Sequence, residues 1–436
     1  MNDQHPGHPT GADPYPVRPL TGPIDATVSV PGSKSLTNRA LVAAALAEGT
    51  SVVEGALVAD DTLVMAGCLR RLGATIDEDA TTWTVLGRGR PAPGPASLDA
   101  GLSGTTARFL APVLALGSGR YRLDGAPPLR ARPLGPTVDA LRGLGVEVAE
   151  EGAPGHLPIT VVAAGLPGGV VPIRADSSSQ FVSGLLLAAP RASSEFTVVV
   201  EGEAVARPYF DLTVSVMRAF GADVTQFGHE RFEVQAGGYR PTRYEVEPDA
   251  SSAAYLLAAA ALCGGQVTVR GLGTATQQGD AHLADVLASM GATVTRDADA
   301  TTVTGTGPLR AVDVDLGDLP DMAMLVAVLA AFADGPSVIR GVAVIRGHET
   351  DRIAAVTSEL GRCGIRADAT DDGWVVHPGS PRPAVIETYD DHRMAMSFAL
   401  LGLRAPGIAI ADPGCVAKTF PAFWSVLESL RPTADR

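Results

Sequence analysis

Two serines and two basic residues follow the end of an alternating strand: Pro31-Gly32-Ser33-Lys34-Ser35-Leu36-Thr37-Asn38-Arg39. Val28-Ser29-Val30 alternates as a strand does, Ser33 suits a helix N-cap, and Leu36, Ala40, Leu41 and Ala44 recur at helical spacing. Lys34 and Ser35 are therefore expected at a helix N-terminus, where unpaired amide N–H groups and the positive end of the dipole favour an anion. Ser35 and Arg39, at i and i+4, share one helix face. The chemistry is that of a phosphate or carboxylate seat. A capped helix with two solvated cations fits the same residues. A Walker-type loop does not, because Ser33 precedes the lysine where that loop requires glycine.

Comparable polar starts recur along the chain. They offer Gly104, Thr105 and Arg108; Ser178, Ser179 and Gln180; Asp321; and Asp391, His392 and Arg393. Further candidates are Arg130 and Arg132, Arg207 before Pro208, the run Arg346-Gly347-His348-Glu349-Thr350-Asp351-Arg352, and Cys415 and Lys418. A solvated surface charge is the bland reading for any single arginine, Arg130 above all. For Asp321, between Pro320 and a wholly apolar stretch, the alternative is an N-cap carboxylate, and Cys415 reads as a small packed residue.

The elements that must position these residues form an internal repeat. A short polar start followed by an Ala- and Leu-rich helix recurs at Ser33, Leu102, Ser177, Ala250, Pro320 and Asp390, at intervals of 69, 75, 73, 70 and 70 residues. Between them a second helix closes on glycine and enters a strand: Leu69–Ile76, Leu141–Val148, Met217–Val224, Leu287–Val294 and Leu360–Ala367. The first helices are apolar almost all round, which predicts burial on every side, with sheets outside. The fold class expected is α/β: two domains of inside-out barrel type, six repeats of about 70 residues, three per domain. The segment Gly237–Arg243 interrupts the pattern, so repeats one to three are assigned to a domain over 33–243. Residues 15–32 with 244–436 form a discontinuous second domain, because the strand before Pro31 is free to pair with the C-terminal half.

Composition narrows the function. With 46% hydrophobic and 19% charged residues over 436 positions, the chain is expected to be a soluble cytoplasmic protein. Its net charge of −14 argues against a nucleic-acid surface, so an anionic ligand must be met by cations gathered locally. Cys68, Cys263, Cys363 and Cys415 are too scattered for a disulfide framework, and no Cys or His cluster points to a metal. Residues 1–14 lack the apolar core of a signal peptide and are expected to be disordered, and the longest apolar run, Met322–Ala333, is too short to span a bilayer. A monomer without membrane or nucleic-acid partners is expected.

The motifs together resemble the 5-enolpyruvylshikimate-3-phosphate synthase (3-phosphoshikimate 1-carboxyvinyltransferase) family of enolpyruvyl transferases. They are Gly-Ser-Lys-Ser-x-x-Asn-Arg, Ser-Ser-Gln-Phe, Asp-Ala-Ser-Ser-Ala, Glu-Thr-Asp-Arg, Asp-His-Arg-Met-Ala-Met and Ala-Lys-Thr-Phe-Pro, in that order from about Val17 onward. The resemblance implies transfer of the enolpyruvyl group of phosphoenolpyruvate to the 5-hydroxyl of shikimate 3-phosphate through a tetrahedral intermediate, with release of phosphate. It implies no metal and no organic cofactor. By resemblance, shikimate 3-phosphate is bound by Lys34, Ser35, Arg39, Ser178, Ser179, Gln180, Arg207, Asp321 and His348. Phosphoenolpyruvate falls to Lys34, Gly104, Arg132, Gln180, Arg352, Arg393 and Lys418, while Asp321, Glu349 and Lys34 carry catalysis. Asp321 is the implied base, and Glu349 or Lys34 the donor to carbon. The two substrates bring about five to six negative charges. Lys34, Arg39, Arg132, Arg207, Arg352, Arg393 and Lys418 suffice to meet them.

The chain departs from the family pattern at Leu102, Ser103, Phe109, Ala206, Val344 and His348. His348 stands where lysine is common, and a histidine near its ordinary pKa predicts loss of shikimate 3-phosphate affinity above pH 7. Two rivals are weighed. The sister transferase acting on UDP-N-acetylglucosamine carries a reactive loop cysteine, whereas Cys68 falls within a helix; a non-catalytic anion-binding scaffold would not need Asp321 or Glu349.

Overall fold

The computed structural model describes residues 13–432. The disorder expected over 1–14 lies, as far as residue 12, outside the described residues. The chain divides into two compact units, Gly32–Val246 and the discontinuous Met1–Pro31 with Glu247–Arg436. The second crossing falls later than residue 243, because Arg243–Glu245 forms a strand parallel to Glu48–Glu54. No helix among the described residues is long and apolar enough to cross a membrane.

Gly32–Val246 holds three four-stranded sheets of one pattern. In the first, Arg243–Glu245 runs parallel to Glu48–Glu54, which pairs antiparallel with Thr82–Arg88, itself antiparallel to Thr75–Asp79. Ala96–Asp99, Ser118–Asp124, Ile159–Ala164 and Glu147–Glu150 repeat that order, as do Gly169–Arg174, Phe196–Glu201, Arg231–Val234 and Val224–Phe227. In the other unit Ile24–Val28 joins Gly265–Arg270 in parallel to start the same pattern, and Asp313–Asp315 with Ser337–Arg340 starts another. The sheet there that departs has three strands: Ala384–Ile386 parallel to Ile408–Ile410, and Tyr15–Pro16 antiparallel to the latter.

Every residue of helices Gly104–Ala115 and Ala323–Ala330 is buried. Strand Thr82–Arg88 instead alternates, with Trp83 and Val85 buried and Thr84 and Leu86 exposed. A helix without a polar face must be enclosed, while an alternating strand keeps one face for water. The five helix-closing glycines all adopt left-handed backbone, with φ of 98° at Gly73, 81° at Gly145, 80° at Gly221, 103° at Gly291 and 77° at Gly364. Each opens a Schellman turn, as where Ala74 N–H donates to the Leu69 carbonyl at 3.1 Å and Gly73 N–H to that of Arg70 at 2.9 Å. These stops fix where each following strand begins.

Candidate active site

In Gly32–Val246 the anion-favouring features sit on three buried helices. Ser33 caps Lys34–Ala45, accepting from Leu36 N–H at 3.5 Å. Lys34 pairs with the buried Asp61 at 3.2 Å, a partner whose sequence cue is its place in the first turn of Asp60–Arg71. Arg39 is 2% exposed. Its Nε donates to Thr213 Oγ1 at 2.8 Å, and Nη1 to the Ser35 carbonyl at 3.0 Å. Nη2 donates to Ser183 Oγ at 3.2 Å, and the guanidinium lies 5.0 Å from the Phe109 ring centroid. All these partners are neutral. Burial pulls the Arg39 pKa down to about 10, with Tyr209 and Tyr244 opposing, so the group remains a cation at neutral pH. Phe109 thereby receives a role the sequence left open.

Gly104 opens the helix Gly104–Ala115, and a Cβ built on it would stand 3.0 Å from Arg132 Nη1 and 3.4 Å from Arg108 Nη1. Its lack of a side chain leaves room for two guanidinium groups. Arg108 Nη1 donates to Gln180 Oε1 at 2.9 Å, and Gln180 Nε2 donates to Thr105 Oγ1 at 3.3 Å. Ser178 and Ser179 are buried, and Ser178 Oγ accepts from Gln180 N–H at 3.2 Å. Gly104, Arg108, Arg132 and Gln180 thus adjoin one another. Arg207 is exposed, at the N-cap position of Pro208–Ala219, after Ala206 with φ of 50°. Cys68 lies in the helix Asp60–Arg71, and burial raises its thiol to about 11, against the thiolate a nucleophile needs.

In the other unit a single network joins the candidates. Asp321 does not cap a helix: it sits in a tight turn, Pro320–Met322, ahead of Ala323–Ala330. Its Oδ1 accepts from Arg352 Nη1 at 2.8 Å and its Oδ2 from Arg393 Nη2 at 2.7 Å. Arg352, 1% exposed, also donates from Nε to Asp391 Oδ2 at 2.7 Å and from Nη2 to Glu349 Oε2 at 2.8 Å. Lys418 Nζ donates to Glu349 Oε1 at 2.9 Å. Asp391 caps His392–Arg404, accepting from Arg393 N–H at 2.9 Å. Arg352, Arg393 and Lys418 are thus matched by Asp321, Glu349 and Asp391. The sequence places Asp391 only in a polar helix start; its pairing with Arg352 comes from a residue 39 positions away.

Burial works against ionisation of Asp321, but Arg393 and Arg352 outweigh it and hold the carboxyl well below its usual range. Burial likewise opposes the charge on Arg352, yet Asp391, Glu349 and Asp321 raise its pKa. His348 Nδ1 lies 2.9 Å from Arg352 Nη1 and 3.6 Å from Asp321 Oδ1. A guanidinium can only donate, so Nδ1 accepts and the neutral ring carries its proton on Nε2. Burial, with Arg352 beside it, lowers the His348 pKa despite Asp321. This runs against the expectation of a titration above pH 7, because a depressed value favours the neutral ring there. Among the described residues no group of three or more His, Cys, Asp or Glu side chains is arranged to hold a metal ion.

Residues 20–427 match the family described as EPSP synthase (3-phosphoshikimate 1-carboxyvinyltransferase). The chain is 46% identical over 410 residues to the 3-phosphoshikimate 1-carboxyvinyltransferase of Nostoc punctiforme, covering 93% of this chain and 96% of that protein. The solved EPSP synthase of Acinetobacter baumannii superposes with a TM-score of 0.81 at 28% identity, covering 96% of this chain and 98% of that one. The enolpyruvyl transferase NikO from Streptomyces tendae, at 23% identity and a TM-score of 0.74 over 98% of both chains, shares the fold. The chain belongs to the EPSP synthase (3-phosphoshikimate 1-carboxyvinyltransferase) family.

Proposed function

We propose that the chain transfers the enolpyruvyl group of phosphoenolpyruvate to the 5-hydroxyl of shikimate 3-phosphate and releases phosphate, acting as a cytoplasmic monomer. On this reading each unit is an inside-out α/β arrangement of three repeats of about 70 residues, which brings buried-helix starts to the ligands. The observation that carries it is the network in which Arg352 and Arg393 share Asp321 while Arg352 and Lys418 share Glu349. Phosphoenolpyruvate, a phosphate and a carboxylate on one small frame, competes for those guanidinium and ammonium groups. Arginine forks match both anions bidentately.

Such competition prepares the carboxylates for chemistry. While both arginines face Asp321 it is a weak base, its charge fully compensated. Ligand anions drawing Arg352 and Arg393 toward themselves raise the basicity of Asp321, which then takes the 5-hydroxyl proton as that oxygen bonds to carbon 2 of phosphoenolpyruvate. A proton delivered to carbon 3 by Glu349 or Lys34 completes the addition. Loss of a carbon-3 proton and departure of phosphate then restore the double bond. We assign Lys34, Gly104, Arg132, Gln180, Arg352, Arg393 and Lys418 to phosphoenolpyruvate. Lys34, Ser35, Arg39, Ser178, Ser179, Gln180, Arg207, Asp321 and His348 go to shikimate 3-phosphate. Arg39 supports this assignment physically, since a buried cation among neutral partners is poorly compensated until an anion arrives.

The test is phosphate release from the two substrates together, with Asp321→Ala and Lys34→Ala alongside. Turnover by the unaltered chain and a loss of about 10² to 10⁴ in kcat for Asp321→Ala are expected. Absence of turnover, or two variants as fast as the parent, defeats the reading.

A further inference from the structure

One helix holds the start of another at two separate points. Arg352 and Glu359 stand seven residues apart on the helix Arg352–Arg362, hence on one face. Arg352 grips Asp391, the N-cap of His392–Arg404, through Nε at 2.7 Å and Nη2 at 3.2 Å. Glu359 is fully buried and grips the segment just upstream. Its Oε2 accepts from Glu387 N–H at 3.1 Å, and its Oε1 accepts from the Tyr389 hydroxyl at 2.7 Å. Arg362 Nε, 3.1 Å from Glu359 Oε2, compensates the buried charge.

Between these grips the backbone is strained. Tyr389 and Asp390 are consecutive residues in left-handed conformation, with φ of 55° and 57°. A Cβ disfavours that region at each position, and two in succession persist only where surrounding contacts over-determine them. The turn they make delivers the chain from strand Ala384–Ile386 into the helix that begins at His392. Arg393, one residue further on, owes its reach to Asp321 to the exit of this turn.

We propose that Glu359 and Tyr389 are positioning residues: a buried acid and the phenol it holds, outside the charged network, that clamp the strained turn and so set Arg393 against Arg352 about Asp321. This rests on the reading of Arg352 and Arg393 as a phosphoenolpyruvate clamp. The pair touches no reacting atom, and its effect on the reaction passes through the placement of Arg393. Removing it lets the turn relax toward ordinary backbone, which shifts the guanidinium and weakens its competition for ligand anions.

The test uses the full chain with Tyr389→Phe, Glu359→Gln, the double variant, and Arg393→Lys as a reference. Tyr389→Phe deletes one hydroxyl at a half-exposed ring and is expected to fold. Each single variant is expected to raise KM for phosphoenolpyruvate roughly threefold to tenfold, with KM for shikimate 3-phosphate within twofold of the parent. The double variant is expected to be no worse than Glu359→Gln alone, because the two groups act as one contact. A merely structural pair would lower the active fraction and leave both KM values in place. That result, or equal increases in both KM values, overturns the proposal when the parent turns over and Arg393→Lys raises KM for phosphoenolpyruvate. If the parent does not turn over, or Arg393→Lys leaves that KM unchanged, the underlying reading fails instead.

Discussion

The Cβ position of Gly104 lies 3.0 Å from Arg132 Nη1, tighter than a side-chain carbon and a guanidinium nitrogen ordinarily rest. The helix start and the arginine therefore share a space that only glycine vacates. Gly104→Ala is expected to push Arg132 aside by a few tenths of an ångström while leaving the buried helix intact. One weakened charge-assisted hydrogen bond, about 1.5 to 3 kcal/mol, corresponds to a rise of roughly tenfold or more in KM for phosphoenolpyruvate. KM for shikimate 3-phosphate should hold. Steady-state kinetics with each substrate varied in turn checks this, and an unchanged phosphoenolpyruvate KM removes Arg132 from that role.

Arg39 offers a test that separates fold from function. Its partners are hydroxyls, carbonyls and the Phe109 face, and Thr213 Oγ1 keeps other bonds, donating to the Tyr209 carbonyl at 2.7 Å and lying 2.9 Å from the Ser183 hydroxyl, which can donate to it. Replacing a buried, poorly compensated charge with an apolar side chain of similar length is often neutral or stabilising. Arg39→Met should therefore keep or raise Tm while KM for shikimate 3-phosphate rises at least tenfold. A Tm lowered by many degrees with KM unchanged would make Arg39 a purely structural cation.

The local features were legible because each leaves a mark in a few consecutive residues. Gly73, Gly145, Gly221, Gly291 and Gly364 could be placed from sequence, since left-handed backbone after a helix is disfavoured for almost any other residue. The polar helix starts were visible for the same reason. Pairings across long separations were not: Lys34 with Asp61, Arg108 with Gln180, and Tyr15–Pro16 closing a sheet with Ile408–Ile410. Side-chain and strand pairing through space imposes no period on the chain. Asp321 shows the boundary between the two. Its neighbours in sequence fit a cap, and only the approach of Arg352 and Arg393, far along the chain, makes it the centre of an ion network.

His348 carries a pH prediction with a definite sign. Its folded pKa lies below the ordinary histidine value, so the fold favours the neutral ring. The corresponding stability is present above about pH 6.5 and is lost as pH falls through the depressed value, where the unfolded chain already binds the proton. Because the value is depressed, the ring carries little charge above about pH 6.5. Shikimate 3-phosphate affinity, corrected for ionisation of the ligand, should thus show the same pH profile from 6.5 to 8.5 in the parent and in His348→Gln. Binding calorimetry at three pH values decides it; a profile that flattens in the variant over that range would place the titration of His348 higher.

Asp280 makes the opposite contribution. Burial pushes its carboxyl up to about 6, with Arg393 opposing, Asp321 and Asp249 adding negative charge, and the Ser251 hydroxyl donating to Oδ2. Oδ1 is buried without a hydrogen-bond partner among the described residues, so the ionised form is costly twice over. Between the unfolded value near 3.9 and about 6 the folded chain holds a proton that the unfolded chain releases. Asp280 therefore subtracts stability as pH rises through that window, on the order of a few kcal/mol by its upper end. Asp280→Asn keeps the shape and removes the titration. The Tm of the variant relative to the parent should climb between pH 4 and about 6 and then level off. Thermal unfolding across that range measures it, and a difference that does not change with pH would show that Asp280 keeps an ordinary carboxylate pKa in the fold.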